Sequence, residues 1–249
     1  MTYCVGMRLD RGLIFMSDTR TNAGVDDVSQ VRKMRHWEEP GERAITLLSA
    51  GNLATTQAVV SLLDERTKAP SERDPSIMSA PSMFQIATIV GNTLREVISN
   101  LRHEGQEASS KFRASLILGG QIEGSEPRLF LIYPEGNFIE AGDDSPFFQI
   151  GETKYGRPII VRTFDPAMPF EDATRLLMVS FDSTIRSNLA VDLPLDLAIH
   201  ERDTYRIGHQ QRIETNDPYF RRISEQWSLS LREAVNRLPA FEFASGDDS

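Results

Sequence analysis

The sequence predicts an α+β fold of two stacked antiparallel sheets with helices on the outside. Strands, two helices, strands, two helices, two strands and a last helix follow one another, and this order lacks the regular βαβ alternation of a doubly wound parallel sheet. With 249 residues and 40% hydrophobic content, the chain can fill one large core. No repeat or interior linker divides it, so we expect a single domain over residues 1–240 and a short acidic, flexible tail over 241–249.

Strand-like apolar runs open the chain. Residues 3–9 and 12–17 are joined by the turn-forming sequence Asp10-Arg11-Gly12, which predicts a hairpin beginning at residue 2. Further runs at 33–37 and 44–49 are separated by a polar turn that contains Pro40 and Gly41. The first fifty residues are therefore predicted to form four short strands.

The hydrophobic period changes to helical spacing at Asn52, which can cap the first turn of a helix that stops near Pro70. A polar connector over 69–81 leads to a second helix over 82–103, which has one apolar stripe. Strands are predicted at 114–122, 128–133, 137–139, 147–150, 195–200 and 205–213. Helices are predicted at 156–162, 171–187 and 218–238.

Composition argues against several functional classes. The net charge of −9 and a pI near 5.0 disfavour binding to a phosphate backbone, so no nucleic-acid partner is expected. No apolar stretch reaches the roughly 18 residues of a membrane span. The four histidines lack metal-ligand spacing, and glycine-rich phosphate-binding motifs are absent, so we expect neither a metal nor a cofactor. The single Cys4 is predicted to be a buried, inert thiol in a cytoplasmic protein.

Thr2 is the candidate nucleophile. A threonine hydroxyl is activated without histidine when it stands at the chain terminus, because its own α-amine then accepts the proton. That amine titrates near ~7.7 to 8.0 in model compounds, so it is partly deprotonated at neutral pH. Removal of Met1 would expose it, although a Met-Thr start also occurs by chance.

Asp18 and Lys33 are the candidate residues for activating Thr2. A lysine ammonium near the amine and hydroxyl favours their deprotonated forms, and an aspartate keeps that lysine charged and oriented. Taken alone, Asp18 is better explained as a turn-capping carboxylate, and Lys33 as an edge-strand lysine that discourages aggregation. The three together, at predicted strand ends, favour a catalytic arrangement.

These residues stand in segments that resemble the proteasome β-subunit and HslV group, and most of all the bacterial proteasome-related Anbu family. The matching segments are residues 2–6, residues 12–21, Lys33 and residues 47–54. The resemblance implies a four-layer αββα sandwich of the N-terminal-nucleophile hydrolase type, which hydrolyses peptide bonds in peptide or protein substrates. It implies Thr2 as nucleophile, supported by Asp18 and Lys33, and a self-assembled ring or ring-derived homo-oligomer. An unfoldase partner is left open.

The resemblance also assigns the backbone N–H of Gly51 to the oxyanion hole. A glycine suits this place, between a strand and a helix, because substrate can approach its backbone closely. An ordinary strand-to-helix glycine is the alternative.

The chain departs from the family pattern in its second half. Glu152 stands where proteasome-type subunits carry a serine beside the threonine amine, and the segment containing Asp182 and Ser187 matches only approximately. For these last two residues, capping of a helix C-terminus is the simpler interpretation. Two other functions therefore stay open: an amidohydrolase acting on small amides, and a catalytically weak assembly or scaffold subunit.

Overall fold

The computed structural model describes residues 2–22, 28–68, 75–103 and 112–243. These residues form two five-stranded antiparallel sheets, a two-stranded ribbon and five helices, and the predicted αββα sandwich is confirmed. The strands are β1 (Tyr3–Leu9), β2 (Gly12–Asp18), β3 (Arg20–Asn22), β4 (Val28–Gln30), β5 (Met34–Glu39), β6 (Arg43–Gly51), β7 (Ala114–Ile122), β8 (Arg128–Ile132), β9 (Phe138–Glu140), β10 (Phe147–Gly151), β11 (Leu195–Glu201) and β12 (His209–Ile213). The helices are α1 (Leu53–Lys68), α2 (Met83–His103), α3 (Arg157–Thr163), α4 (Phe170–Ser187) and α5 (Pro218–Asn236).

The two large sheets have the strand orders β10-β1-β2-β11-β12 and β5-β6-β7-β8-β9. In the first, the predicted β1–β2 hairpin pairs Leu9 with Gly12 at its turn and Cys4 with Ser17 near its open end. In the second, β6 is paired on both sides, with β5 and with β7. Both sheets therefore have their longest strands in the interior.

Three hydrophobic cores separate the four layers. One lies between the second sheet and α1 and α2, one lies between the first sheet and α3, α4 and α5, and the third lies between the two sheets. Successive side chains of β1 alternate between two of them: Tyr3 and Val5 face the helices, whereas Cys4 faces the other sheet. Because both faces of the inner strands are covered, these strands are almost continuously apolar in sequence.

Helix α1 begins as its sequence predicts. The Asn52 side-chain oxygen accepts a hydrogen bond from the Thr55 N–H at 3.0 Å, which satisfies one of the donors left unpaired at a helix start. The helix ends at Lys68, just before the predicted stop at Pro70. Position 52 therefore fixes the junction between β6 and α1.

The structure corrects three of the predicted elements. Six strands, not four, precede α1, because β3 and β4 pair with each other (Arg20 opposite Gln30); each has only three residues, too few for a periodic pattern. Strand β12 begins at His209 rather than at residue 205, since Tyr205 adopts a positive φ of 49°, which is incompatible with an extended strand. Lys33 lies immediately before β5, not within it.

Parts of two further predictions lie outside the described residues, namely 69–74 of the connector and 244–249 of the tail. Cys4 is fully buried, as predicted. No helix in the described ranges has the length and apolarity needed to cross a membrane.

Candidate active site

Chain segments far apart in sequence meet at one end of the sandwich. Thr2 precedes β1, and the backbone N–H of the next residue, Tyr3, donates a 2.9 Å hydrogen bond to Asp18 Oδ1 at the end of β2. The Lys33 carbonyl accepts a 2.9 Å hydrogen bond from the Ser49 N–H of β6. These hydrogen bonds bring the ends of β1, β2 and β6 to the segment that carries Lys33.

Lys33 and Asp18 form a buried ion pair. Lys33 Nζ lies 2.7 Å from Asp18 Oδ1 and 2.6 Å from the carbonyl oxygen of Arg20, and both charged side chains are at most 6% exposed. Burial raises the pKa of the Asp18 carboxyl, and the Lys33 ammonium and the Tyr3 N–H oppose that rise. The ammonium is thus held in one position by two oxygen acceptors.

Gly51 ends β6 in a conformation that favours glycine. Its φ is +123°, and a Cβ at this position would overlap the carbonyl oxygen of Arg113 and lie 2.7 Å from Ala114 Cα. Backbone N–H groups alternate in direction along a strand. Since the Ser49 N–H points to Lys33, the Gly51 N–H is directed to the same side of β6, away from β7.

Thr2, Lys33 and Gly51 line one cleft of about 1060 Å³ between the sheet ends and the start of α1. Asp18 does not line the cleft but lies behind Lys33, fully buried. The structure therefore brings the four sequence-predicted site residues together: three at the surface of the cleft and one beneath it.

Other regions of the described chain do not combine a cleft with the predicted catalytic residues. A second groove of about 550 Å³ between α4 and β11–β12 is lined by Phe170, Met178 and Leu197, among others, and contains none of the predicted site residues. Within the described ranges, no three His, Cys, Asp or Glu side chains come close enough together to hold a metal ion.

Comparison with known proteins places this architecture in a family. Residues 2–192 match the family described as proteasome subunit. The chain belongs to the proteasome-subunit family.

Solved structures of Anbu proteins resemble the whole chain. A (Gly-1) mutant of Anbu from Hyphomicrobium sp. strain MC1 is 49% identical with a TM-score of 0.90, covering 98% of this chain and 100% of its own. Anbu, the ancestral β-subunit, from Yersinia bercovieri is 48% identical with a TM-score of 0.90 and covers 97% and 100%. Anbu from Pseudomonas aeruginosa, described as a helical assembly, is 44% identical with a TM-score of 0.91 and covers 98% and 100%. No curated protein matches at a significant level.

Glu152, the residue that departs from the proteasome-subunit pattern, is directly beside Thr2. Its backbone N–H donates a 2.6 Å hydrogen bond to the Thr2 carbonyl oxygen. Its carboxylate accepts hydrogen bonds from the Lys154 N–H at 3.0 Å and from Asn188 Nδ2 at 2.9 Å. Glu152 therefore ties the loop beneath Thr2 to the end of α4.

The structure separates Asp182 from Ser187. Asp182 lies inside α4, 3% exposed, with its carboxylate 3.2 Å from Arg186 Nε, so the expectation that it caps the C-terminus of a helix is wrong. Ser187 is the last residue of α4, and its hydroxyl donates to the Ser183 carbonyl at 2.8 Å. Of the two residues, only Ser187 stands at the end of the helix.

Sequence reasoning missed the anchor of the N-terminal strand. The Tyr3 hydroxyl lies 2.7 Å from Ser180 Oγ and accepts a hydrogen bond from Gln149 Nε2 at 2.5 Å. The Tyr3 ring packs on Phe181 with centroids 4.4 Å apart, and burial raises the pKa of Tyr3 to about 12. These partners are 146 to 178 positions away in the chain, so no local spacing could have revealed them.

Proposed function

We propose that this proteasome-family subunit is an N-terminal threonine peptidase that hydrolyses peptide bonds within a self-assembled homo-oligomer. Thr2, after removal of Met1, is the nucleophile, and its free α-amine is the general base. Lys33 and Asp18 provide the electrostatic support, and the Gly51 N–H stabilises the oxyanion. A cytoplasmic location, consistent with a single buried cysteine, is part of the proposal.

The proposed reaction has two balanced halves. The Thr2 amine takes the hydroxyl proton while Oγ attacks the substrate carbonyl carbon, and the resulting oxyanion accepts a hydrogen bond from Gly51 N–H. The amine then gives its proton to the leaving nitrogen, so the C–N bond breaks and an ester to Thr2 forms. Water, deprotonated by the same amine, hydrolyses that ester and restores the hydroxyl.

The observation that carries the proposal is the buried Lys33–Asp18 pair beside the cleft lined by Thr2. A buried ion pair contributes little net stability, because desolvation of both ions offsets their attraction. A fixed ammonium, by contrast, lowers the cost of developing negative charge on a neighbouring hydroxyl and favours the neutral amine. The cleft volume of about 1060 Å³ supports a peptide rather than a small amide as substrate.

Self-assembly is supported by the end of α5. Leu231 and Val235, four positions apart on one face of α5, are 46% and 65% exposed, and Leu238, two residues after the helix, is 67% exposed. Clustered exposed apolar side chains are typical of a contact surface, and their burial against a partner would stabilise this helix end. The helical assembly of the Pseudomonas aeruginosa relative makes a second copy of the chain the simplest candidate.

The test combines intact mass with turnover. Mass spectrometry of the purified protein is expected to show loss of Met1, and fluorogenic peptides are expected to be cleaved by the wild type but not by Thr2→Ala. Thr2→Ser, which keeps a hydroxyl and an amine, is the matched control and should retain measurable activity. Because Thr2 precedes the first strand, Thr2→Ala should change the free energy of unfolding by less than about 1 kcal/mol.

The outcomes separate the alternatives. Retained Met1 blocks the amine and eliminates the proposed base. Cleavage of small acyl-amides without cleavage of peptides would favour the amidohydrolase. If Met1 is absent and a covalent proteasome-type inhibitor leaves no adduct on Thr2, the chain is an assembly subunit, an outcome to which the Glu152 departure would contribute.

A further inference from the structure

The segment that precedes and begins β5 makes one wall of the cleft strongly basic. Arg32, Lys33, Arg35 and His36 all line the cleft, and no acidic residue is found among its described lining residues. The chain as a whole carries a formal charge of −9. The basic wall is therefore opposite in sign to the average surface of the protein, which is the arrangement that attracts an anionic group.

Two of these cations already have partners. Lys33 is paired with the buried Asp18 at 2.7 Å, and Arg35 Nη2 lies 3.0 Å from Asp64 Oδ2. Arg32 is exposed and makes no ion pair within the described part of the chain. Among the described residues, its guanidinium is the cation of this wall that is left available to a ligand.

The positive charges of this wall shift the pKa values of neighbouring titratable groups. Burial, followed by the charges of Arg35 and Arg32, lowers the pKa of His36 to about 4, so this imidazole is neutral at pH 7. Asp196, on β11, is an acidic group close enough to Arg32 for the arginine charge to affect its pKa. Burial raises the pKa of its carboxyl, and Arg212 and Arg32 oppose that rise. The ion pair of Asp196, at 3.8 Å, is with Arg212 and not with Arg32.

We propose that the cleft selects peptides that carry an acidic side chain within a few residues of the cleaved bond, and that Arg32 binds that carboxylate. This inference rests on the proposed function, since it names the substrate class of the same site. A guanidinium suits the role because its planar set of donors matches a carboxylate in a bidentate geometry. An ammonium cannot make that match, and Lys33 is in any case held by Asp18.

The kinetic test uses otherwise identical fluorogenic peptides in which each position in turn holds Glu, Gln or Lys. At one position near the cleaved bond, kcat/KM of the wild type should be about 10-fold higher for Glu than for Gln, the value of one charge-assisted hydrogen bond, and lowest for Lys. Arg32→Gln should reduce the Glu-to-Gln ratio to about 1, and Arg32→Glu should favour Lys. The wild-type ratio should also shrink as salt is added.

Arg11→Gln is the matched control. Arg11 is an exposed arginine in the β1–β2 turn, at the opposite end of a seven-residue strand and so about 23 Å from Thr2. This variant should keep the wild-type preference. Cleavage without any acidic preference, or a preference that persists in Arg32→Gln, would overturn the proposal.

A binding assay separates this proposal from the failure of the peptidase function. Fluorescence anisotropy of the same peptides on Thr2→Ala measures recognition without turnover, and the Glu peptide should bind about 10-fold more tightly than the Gln peptide unless Arg32 is also replaced. If nothing is cleaved but this Arg32-dependent preference is present, acidic recognition stands and the peptidase proposal fails. Equal binding of the Glu and Gln peptides would refute acidic recognition, whether or not the wild type cleaves them.

Discussion

Replacing either member of the Lys33–Asp18 pair tests both the energetics and the chemistry of the site. Lys33→Met leaves the Asp18 carboxylate fully buried without its cation, and Asp18→Asn leaves the Lys33 ammonium without its anion, facing only neutral acceptors such as the Arg20 carbonyl. Truncating one member of a buried pair typically costs about 3–5 kcal/mol, because an unpaired charge stays in the interior. We expect a loss of this size for each single variant.

The double variant Lys33→Met/Asp18→Asn removes both charges, so it should be more stable than the sum of the two losses implies. The amide oxygen introduced by Asp18→Asn can still accept the hydrogen bond that the Tyr3 N–H donates to Asp18 at 2.9 Å. We therefore expect a coupling energy of about 2 kcal/mol or more. Urea unfolding at pH 7.5, with equal m-values required across the four proteins, measures it.

Peptide cleavage by the same four proteins provides the functional arm. Turnover should be strongly reduced in all three variants, including the double variant in which stability partly returns, since the ammonium is absent or no longer held by Asp18. Additive stability losses would refute the energetic argument. Full activity in Lys33→Met, with an unchanged pH–rate profile, would refute the electrostatic role of Lys33.

Three further predictions concern other parts of the chain. Gly51→Ala should lower the free energy of unfolding in urea by about 2–4 kcal/mol, because the added Cβ would clash with backbone atoms and the φ is unfavourable for alanine. Gly41→Ala, at φ +84° with nothing within 4 Å, should lower it by only about 1–2 kcal/mol. Equal losses would contradict the contact argument. Burial lowers the pKa of His200 to about 3, whereas a histidine in the unfolded chain has a pKa of about 6.5. As pH falls, the unfolded chain is therefore protonated at this histidine before the folded chain is, and stability decreases below about pH 6.5. His200→Asn should remove about 2 kcal/mol of the loss between pH 7.5 and 5.0, and an unchanged pH slope would refute this. Val235→Asp should dissociate assemblies in sedimentation velocity, whereas Asn236→Asp, which adds the same charge on a different face of α5, should not; identical behaviour of the two would remove α5 from the interface.

The sequence predicted most of the fold because its elements have strong local patterns. The strand over Ala114–Ile122 was predicted with the bounds that the structure has, and the cap at Asn52 was identified from residue type alone. The ribbon of β3 and β4 was missed because three-residue strands carry no period. The last strand was predicted to begin four residues too early, at Tyr205, whose φ is positive in the structure.

The candidate site was likewise predictable from the sequence in part, and its remaining features depended on the tertiary structure. Thr2, Asp18 and Lys33 were selected as site candidates because nucleophile, carboxylate and ammonium each have a chemical requirement that can be read locally, and the family resemblance added Gly51. The 2.7 Å contact between Lys33 and Asp18, the direction of the Gly51 N–H, and the place of Glu152 beneath Thr2 depend on strand pairing.

The sequence by itself thus determined the order and class of the elements and the chemical groups available at their ends. Tertiary structure decided which of those groups touch, which are buried and which keep an unpaired charge. Tyr3 is fixed by Ser180, 177 residues later, and Asp182 is enclosed within α4 although its sequence suggested a helix end. Hydrophobic periodicity is a local property of the chain, whereas ion pairing and desolvation depend on neighbours that only the packed sheets and helices supply.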